Sequence, residues 1–556
     1  MSPARRASLV AVLAGSALRL YNLTLNPLHH DEGVNGFFML NLVRRGVYRY
    51  DPANYHGPSL YYADLPFLKI FGLHTEMLRI EPVLFGIGVL LLLALGLPRL
   101  VGERAAFIAT ALAALSPGMV YISRYFIHEM MVVFFTLGLV LAVAHYLRTP
   151  GQTSFFLGTA SAGFLFATKE TAAPTVLMLL IAAGCTRLVV QFWPLTAAGK
   201  RPGRDRRAKR EERKDRPEKP APRAATSPKP EGITPAERAL LPHRDLAVIL
   251  WGLVVFIGIN VMLYSSFWTN KHGVYDALRA LSFWTSTGDT AQKHALTKYF
   301  AWLWQEEGPI LALGLAGAAL AIFQRKNCFA MFCAWWSIGV LMMYSLVPYK
   351  TPWICVNMVL PLAIMAGVAM DEISERIGAK VGSVIIAGLL VWVVAQSISL
   401  NFVHYDDERY AYVYAHTVRD VKNLLAAVRK LTKASGQTDP HIAVWVSDDA
   451  YWPLPWYLRN NPNAAFYGPQ LVSPPDSPVK VYKNLVPLTN QAMAIVRAGN
   501  MYNGMIQVPG QANVSVRADL ARKMVYIKTY ELRGGVDLML FATPSLAAKA
   551  GFHQGS

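Results

Sequence analysis

The chain has 556 residues, 53% hydrophobic and 16% charged, with a formal net charge of +19. Soluble globular domains carry about a quarter charged residues, so this deficit and the long apolar runs exclude an ordinary soluble protein and point to the membrane class. The segment 200–229 alone holds 13 Lys or Arg against 5 Asp or Glu, so the positive excess does not describe a nucleic-acid-binding surface.

The first apolar run, 7–25, is flanked by Arg5 and Arg6. It has no clean small-residue cleavage site before Arg19 and more spans follow, so it reads as a retained first span. Further runs lie at 82–100, 105–121, 130–147, 155–168, 172–193, 246–265, 308–323, 329–347, 353–370 and 381–400. A spanning helix needs about 20 apolar residues, and the shorter runs fit this least well. The reading is an α-helical polytopic membrane protein with about eleven transmembrane helices. It divides into a transmembrane module (1–194), a basic cytoplasmic linker (195–244), a second transmembrane module (245–400) and a C-terminal extracytoplasmic α/β domain (401–556). In that last domain, 410–433 has helical period, and 441–447, 524–530 and 536–542 are strand-like. Cys185, Cys328, Cys333 and Cys355 lie in or beside apolar runs without CxxC spacing, which indicates neither a zinc site nor a disulfide framework.

Basic residues set the orientation. Arg5 and Arg6 place the N-terminus in the cytoplasm of a plasma (inner) membrane protein. Alternation then makes 98–104, 148–153, 194–244, 324–327 and 371–380 cytoplasmic. Arg99, Arg104, Arg148, Arg325, Lys326 and the basic linker agree. The outer loops follow without reference to any motif: 26–81, 122–129, the Lys169-Glu170 junction, 266–307 and 348–352. They hold His29, His30, Asp31, Glu32, His56 and Asp64, then Arg124, His128 and Glu129, then Lys169 and Glu170. The fourth adds Lys271, His272, Asp289, Lys293, His294, Glu306 and Glu307, and the fifth Tyr349 and Lys350. Ionisable residues at span ends are costly unless paired or functional. Five such loops on one side predict a polar cavity at the outer interface. A carboxylate there can take the proton of a hydroxyl acceptor, and lysines can hold a phosphate.

His29-His30-Asp31-Glu32 after a first span resembles the acidic first-loop motif of the GT-C glycosyltransferases. Arg79-Ile80-Glu81-Pro82 is similar to that family's entry to the second span. Ser116-Pro117, then Tyr121 to Tyr125 and Glu129, resembles its second acidic motif. Ala167-Thr168-Lys169-Glu170 and Tyr344 to Trp353 also match, as do two outer-domain strings, Tyr412 to Thr417 and Tyr451 to Tyr457. Within the superfamily the chain looks like the dolichyl-phosphate-mannose protein mannosyltransferase-like proteins, nearest to the flippase-activity-associated branch of archaea and bacteria.

The resemblance implies an inverting transferase with a polyprenyl-phosphate sugar donor, membrane-lipid surroundings, and a glycan, protein or lipid acceptor. By match, Asp31 is the base, Glu32 its neighbour and Glu129 the second acid, where the family usually has Asp. Lys169, Lys350, Lys293 and His294 are donor-phosphate candidates. His30, Arg124, Glu170 and Tyr349 are positioning candidates. His29, His30, His56 and His128 fit no metal-ligand spacing, so no metal is assigned, and a divalent metal in the reaction stays open. Blander alternatives also stand: Asp31 and Glu32 as a helix start, Glu129 paired with Arg124, Lys169 reaching to the interface. A lipid-linked-glycan transporter and a glycan-binding protein using Trp445, Trp452 and Trp456 are competing functions.

Overall fold

The computed structural model describes all residues except 51–55, 196–245, 287–292, 447–449, 468–479, 483–490, 500, 507–511 and 553–556. The basic linker therefore lies outside the described residues.

Every predicted apolar run is helical. Eight helices among the described residues are long and apolar enough to cross a membrane, or nine when Glu103–Leu115 and Pro117–Ser123 count as one bent span. Two of the eleven expected spans fall short of that measure. Pro3–Leu20 carries Arg5, Arg6 and Arg19, and Gln152–Phe166 has only 15 residues. Arg19 is tolerated inside the bundle because its guanidinium donates to Ser123 Oγ and to the carbonyls of Gly15, Ala113 and Ala114, at 2.9–3.2 Å.

Tight helix crossings close the core. Gly317, on the helix Lys298–Gln324, sits where a Cβ would lie 2.0 Å from the carbonyl oxygen of Met365. The outward faces stay apolar: Leu250, Trp251, Leu253 and Val254 on Leu246–Tyr264 are all exposed, as suits a lipid-facing helix.

Two features bring polar residues to one end of the bundle. The first is the break at Ser116-Pro117. Proline has no N–H to continue the helix. Ser116 leaves helical geometry, and its hydroxyl caps the next helix at Met119 N, 3.1 Å. The chain bends by 58° there and delivers Arg124 to Glu129 to the bundle end. The second is the helix Lys298–Gln324, which starts ten residues before the expected 308. Glu306 and Glu307 therefore lie within the helix rather than in a loop. Glu307 is non-helical at φ −128°, and Pro309 follows it, so the helix kinks. Ser116 Oγ and Gly118 N both donate to Glu307, at 2.7 and 2.8 Å.

The C-terminal domain is α/β. Its strands are β1 (Ile442–Trp445), β2 (Ala464–Tyr467), β3 (Lys480–Tyr482), β4 (Met493–Arg497), β5 (Met505–Ile506), β6 (Val514–Ser515), β7 (Val525–Arg533) and β8 (Val536–Ala542). The main sheet runs β3-β2-β1-β4-β8-β7; β5 and β6 pair separately. β1 pairs in parallel with β2 and β4, and β8 is antiparallel to β4 and β7. The amphipathic helix Val421–Ser435 packs on β7. It begins eleven residues later than the expected 410. The residues before it form turns, with Ala415 at φ 53°, and Tyr412, Val413, His416 and Thr417 are buried. Trp445, Trp452 and Trp456 are each fully buried. They are core residues, which removes the exposed aromatic platform that the glycan-binding alternative requires.

Candidate active site

The site begins at the N-terminus of the helix His30–Arg45. His29 caps it: its Nδ1 accepts from Asp31 N at 3.0 Å, and Glu32 reciprocally accepts from His29 N at 2.9 Å. This reciprocal arrangement satisfies two orphan N–H groups of the helix start. Asp31 and Glu32 then separate. The Asp31 side chain is 40% exposed, whereas Glu32 is 0% exposed.

Four donors occupy Glu32. Besides His29 N, they are Arg79 Nε at 2.7 Å, Arg79 Nη2 at 2.5 Å and Phe126 N at 3.0 Å. Arg79 also donates to the carbonyls of Leu23, Asn26 and Pro27. Glu32 thus ties the first loop to the second span entry and to the 124–128 loop. Its geometry is that of a support for Asp31.

Arg124 likewise has a different place from the expected one. Its guanidinium donates to the carbonyls of Leu18, Tyr21 and Asn22, at the end of the first helix, and stacks 4.8 Å from the Phe402 ring centroid. A cation suits unsatisfied C-terminal carbonyls. It does not pair with Glu129.

The partner of Glu129 is Lys169, whose ammonium donates to Oε1; Asn357 Nδ2 donates to Oε2 at 3.2 Å. Both ionised side chains are buried. Burial disfavours charge on Lys169, but Glu129 outweighs it and raises its pKa. Burial also works against a charged Glu170, and His56, 2.9 Å away, overcomes it and holds the carboxyl below its usual range. His128 Nε2 lies 3.0 Å from Gly57 O, and Gly57 N donates to Thr168 O at 3.0 Å. The histidines of these loops are thus hydrogen-bonded among loop groups.

The 57–59 segment presses against 167–168. A Cβ on Gly57 would lie 2.1 Å from Ala167 O. Gly57→Ala must push these two backbones apart. It should lower stability by about 1–3 kcal/mol; thermal unfolding in nanodiscs checks this, and an unchanged midpoint would contradict the packing.

The remaining loops close the arrangement. Lys293 and Tyr349 form a β-bridge, and His294 N donates to Pro348 O at 3.1 Å. Lys293 is exposed and His294 half-buried. Lys350 turns inward, its ammonium donating to Ser345 O and Val347 O, and is enclosed. Trp353 meets both His29 and Tyr125, at 6.1 and 6.4 Å between ring centroids. All five expected loops therefore adjoin one another. The C-terminal domain completes the site: Trp452 and Pro453 pack on Gly33, and Trp456 packs on Gly36. Tyr457 Oη accepts from Leu28 N at 2.8 Å. His30 is half-buried, and burial, opposed by Asp31 but reinforced by Arg533, holds it down to about 4.

Asn357 and Tyr125 went unassigned in the sequence. A polar Asn within an apolar span was the available signal for the first. For the second there was none beyond its place in the 121–125 string.

Residues 55–199 match the family model described as dolichyl-phosphate-mannose-protein mannosyltransferase. No curated protein matches the chain. The crystal structure of ArnT from Cupriavidus metallidurans bound to undecaprenyl phosphate is similar at a TM-score of 0.62 and 16% identity, over 98% of this chain and 99% of that one. The apo state of ArnT gives 0.60 and 15%, over 99% and 100%. The chain has the GT-C fold. Within that frame the polar loops at the bundle end, and the C-terminal domain seated on them, border the helix start that carries Asp31 and leave its side chain accessible.

Proposed function

We propose that this protein is a GT-C membrane glycosyltransferase that moves a sugar from a polyprenyl-phosphate donor to an acceptor hydroxyl. The observation that carries the reading is the placement of Asp31. It is an accessible carboxylate held on a buried scaffold, in a site built from five loops at one end of an apolar bundle.

Asp31 takes the acceptor's O–H proton. The acceptor oxygen forms a bond to the sugar's anomeric carbon as the bond to the lipid phosphate breaks. The polyprenyl phosphate leaves with the electron pair, and the anomeric configuration inverts. Lys293 and His294, at the exposed edge, meet the phosphate first, and Lys169 and Lys350 stand deeper as cationic support. Glu129 keeps Lys169 charged. His30, Glu170 and Tyr349 shape the walls. The basic segment 200–229, read as cytoplasmic by its charge, supports transfer on the outer face. The undecaprenyl phosphate in the ArnT structure supports the donor class. The accessible charges sit at helix ends rather than at midplane, which disfavours the transporter reading.

The test is reconstitution in proteoliposomes with a panel of polyprenyl-phosphate sugars and, in parallel, nucleotide sugars. The expected result is transfer from lipid-phosphate donors only, with an inverted linkage by NMR. Transfer from nucleotide sugars alone, or lipid translocation without any transfer, would overturn the assignment.

A further inference from the structure

We propose that Tyr125 is a positioning residue for Asp31, its hydroxyl shared between the Asp31 carboxylate and Nδ1 of His29, and that the C-terminal domain locks this arrangement through the Tyr414 carbonyl. The proposal rests on the reading of Asp31 as base.

The tautomer of His29 follows from its contacts. Nδ1 accepts from Asp31 N at 3.0 Å, so it carries no proton. The ring proton is then on Nε2, which donates to Tyr414 O at 3.3 Å. The ring is buried, and burial, reinforced by His30 and Arg533, pushes its pKa well below the usual imidazole range. His29 is therefore neutral, and its unprotonated Nδ1 faces both Asp31 N and Tyr125 Oη.

Tyr125 Oη contacts that nitrogen and also lies 3.3 Å from Asp31 Oδ2. Neither partner has a hydrogen to give, so the phenol's single O–H donates to one or the other in turn. Burial, with Asp31 as the next cause, raises its pKa well above the usual range, so it remains a donor at neutral pH. The ring is clamped edge-on by His29 at 4.8 Å, by His416 at 6.0 Å and by Trp353 at 6.4 Å. Only the O–H hydrogen is free to turn.

That freedom has a use in the transfer step. Before transfer, the O–H points at Asp31 Oδ2 and orients the charged carboxylate. As Asp31 takes the acceptor's proton, the O–H turns to His29 Nδ1. No proton leaves the phenol: Asp31 passes from anion to neutral acid, and the departing lipid phosphate takes up the negative charge.

The titratable and charged groups around this cluster are His29, His30 and Glu32 on the same helix, Tyr121, Arg79 and, from the C-terminal domain, Arg533 and His416. Burial holds His416 down to about 3, as it holds His30 to about 4. None of the three histidines gains charge between pH 5.5 and 8.

Tyr125→Phe removes the donor and keeps the ring. In the reconstituted full chain, kcat should fall about tenfold with donor KM within about twofold, because the carboxylate loses the contact that aims it at the acceptor. The acidic limb of kcat against pH should move to higher pH by about half to one unit. A profile that superposes on the unmodified protein, or a change confined to KM, would overturn the proposal. If Tyr125→Phe does not fold, ¹⁵N NMR of histidine rings in nanodiscs decides it, with the unmodified protein and a His29→Gln variant for assignment. The expected His29 state is neutral with the proton on Nε2; a proton on Nδ1 would sink the arrangement. Full activity of Asp31→Asn would instead remove the base reading itself, whatever the tautomer.

Discussion

Asp31→Asn should lower sugar transfer by about 10²–10⁴-fold, the usual contribution of a positioned general base. The amide is nearly isosteric, and the Asp31 side chain is 40% exposed. Its backbone N–H still donates to His29, so the helix cap survives. Stability should therefore stay within about 0.5 kcal/mol, as for most surface substitutions. The two measurements together give the test its force. Initial rates in proteoliposomes should fall while the unfolding midpoint stays in place. A loss of stability as large as the loss of rate would assign Asp31 to the scaffold. Near-normal transfer would end its candidacy as base.

Arg79→Met has the opposite expectation: a large loss of stability. It leaves Glu32 charged and buried without its bidentate partner, and strips donors from the carbonyls of Leu23, Asn26 and Pro27. Breaking a buried pair by removing one side costs about 3–5 kcal/mol. The double variant Arg79→Met with Glu32→Gln should regain part of that, because no unpaired charge remains. Arg79→Lys should rescue poorly, since a point charge cannot reproduce two parallel N–H contacts. Thermal unfolding in nanodiscs measures the parent, Arg79→Met, the double variant and Arg79→Lys. If Arg79→Met unfolds within about 0.5 kcal/mol of the parent, the network carries no such weight.

The two neighbouring acids show how far a sequence reaches. Asp31 and Glu32 are alike in charge, loop and proximity to a span. Helix geometry alone distinguishes them, because a cap at His29 puts Glu32 at the third helical position, where it turns back on the cap. Arg79 then takes it from 47 residues away. Arg124 and Glu129 are close in sequence and of opposite charge, so pairing them was a reasonable alternative. The turn between them sends Arg124 to the end of the first helix and Glu129 to Lys169. Glu306 and Glu307 looked like loop residues because charge usually ends a span. Here the two carboxyl side chains are tolerated within the helix because Ser116, Gly118 and Ala411 supply donors.

The sequence by itself determined the membrane class, the positions of the helices and the loops that carry ionisable residues. These depend on hydrophobic length and on local charge, which are properties of short stretches. Its reading of sidedness and of Asp31 rests on the same local signals. Only the tertiary structure decided which charges are spent on one another: Glu32 on Arg79, Glu129 on Lys169, Arg124 and Lys350 on backbone carbonyls. The first three join residues far apart in the chain, whereas Lys350 meets carbonyls three to five residues away. A charge enclosed in an apolar bundle must find a partner wherever the fold brings one. Asp31, next to the buried Glu32, stays accessible.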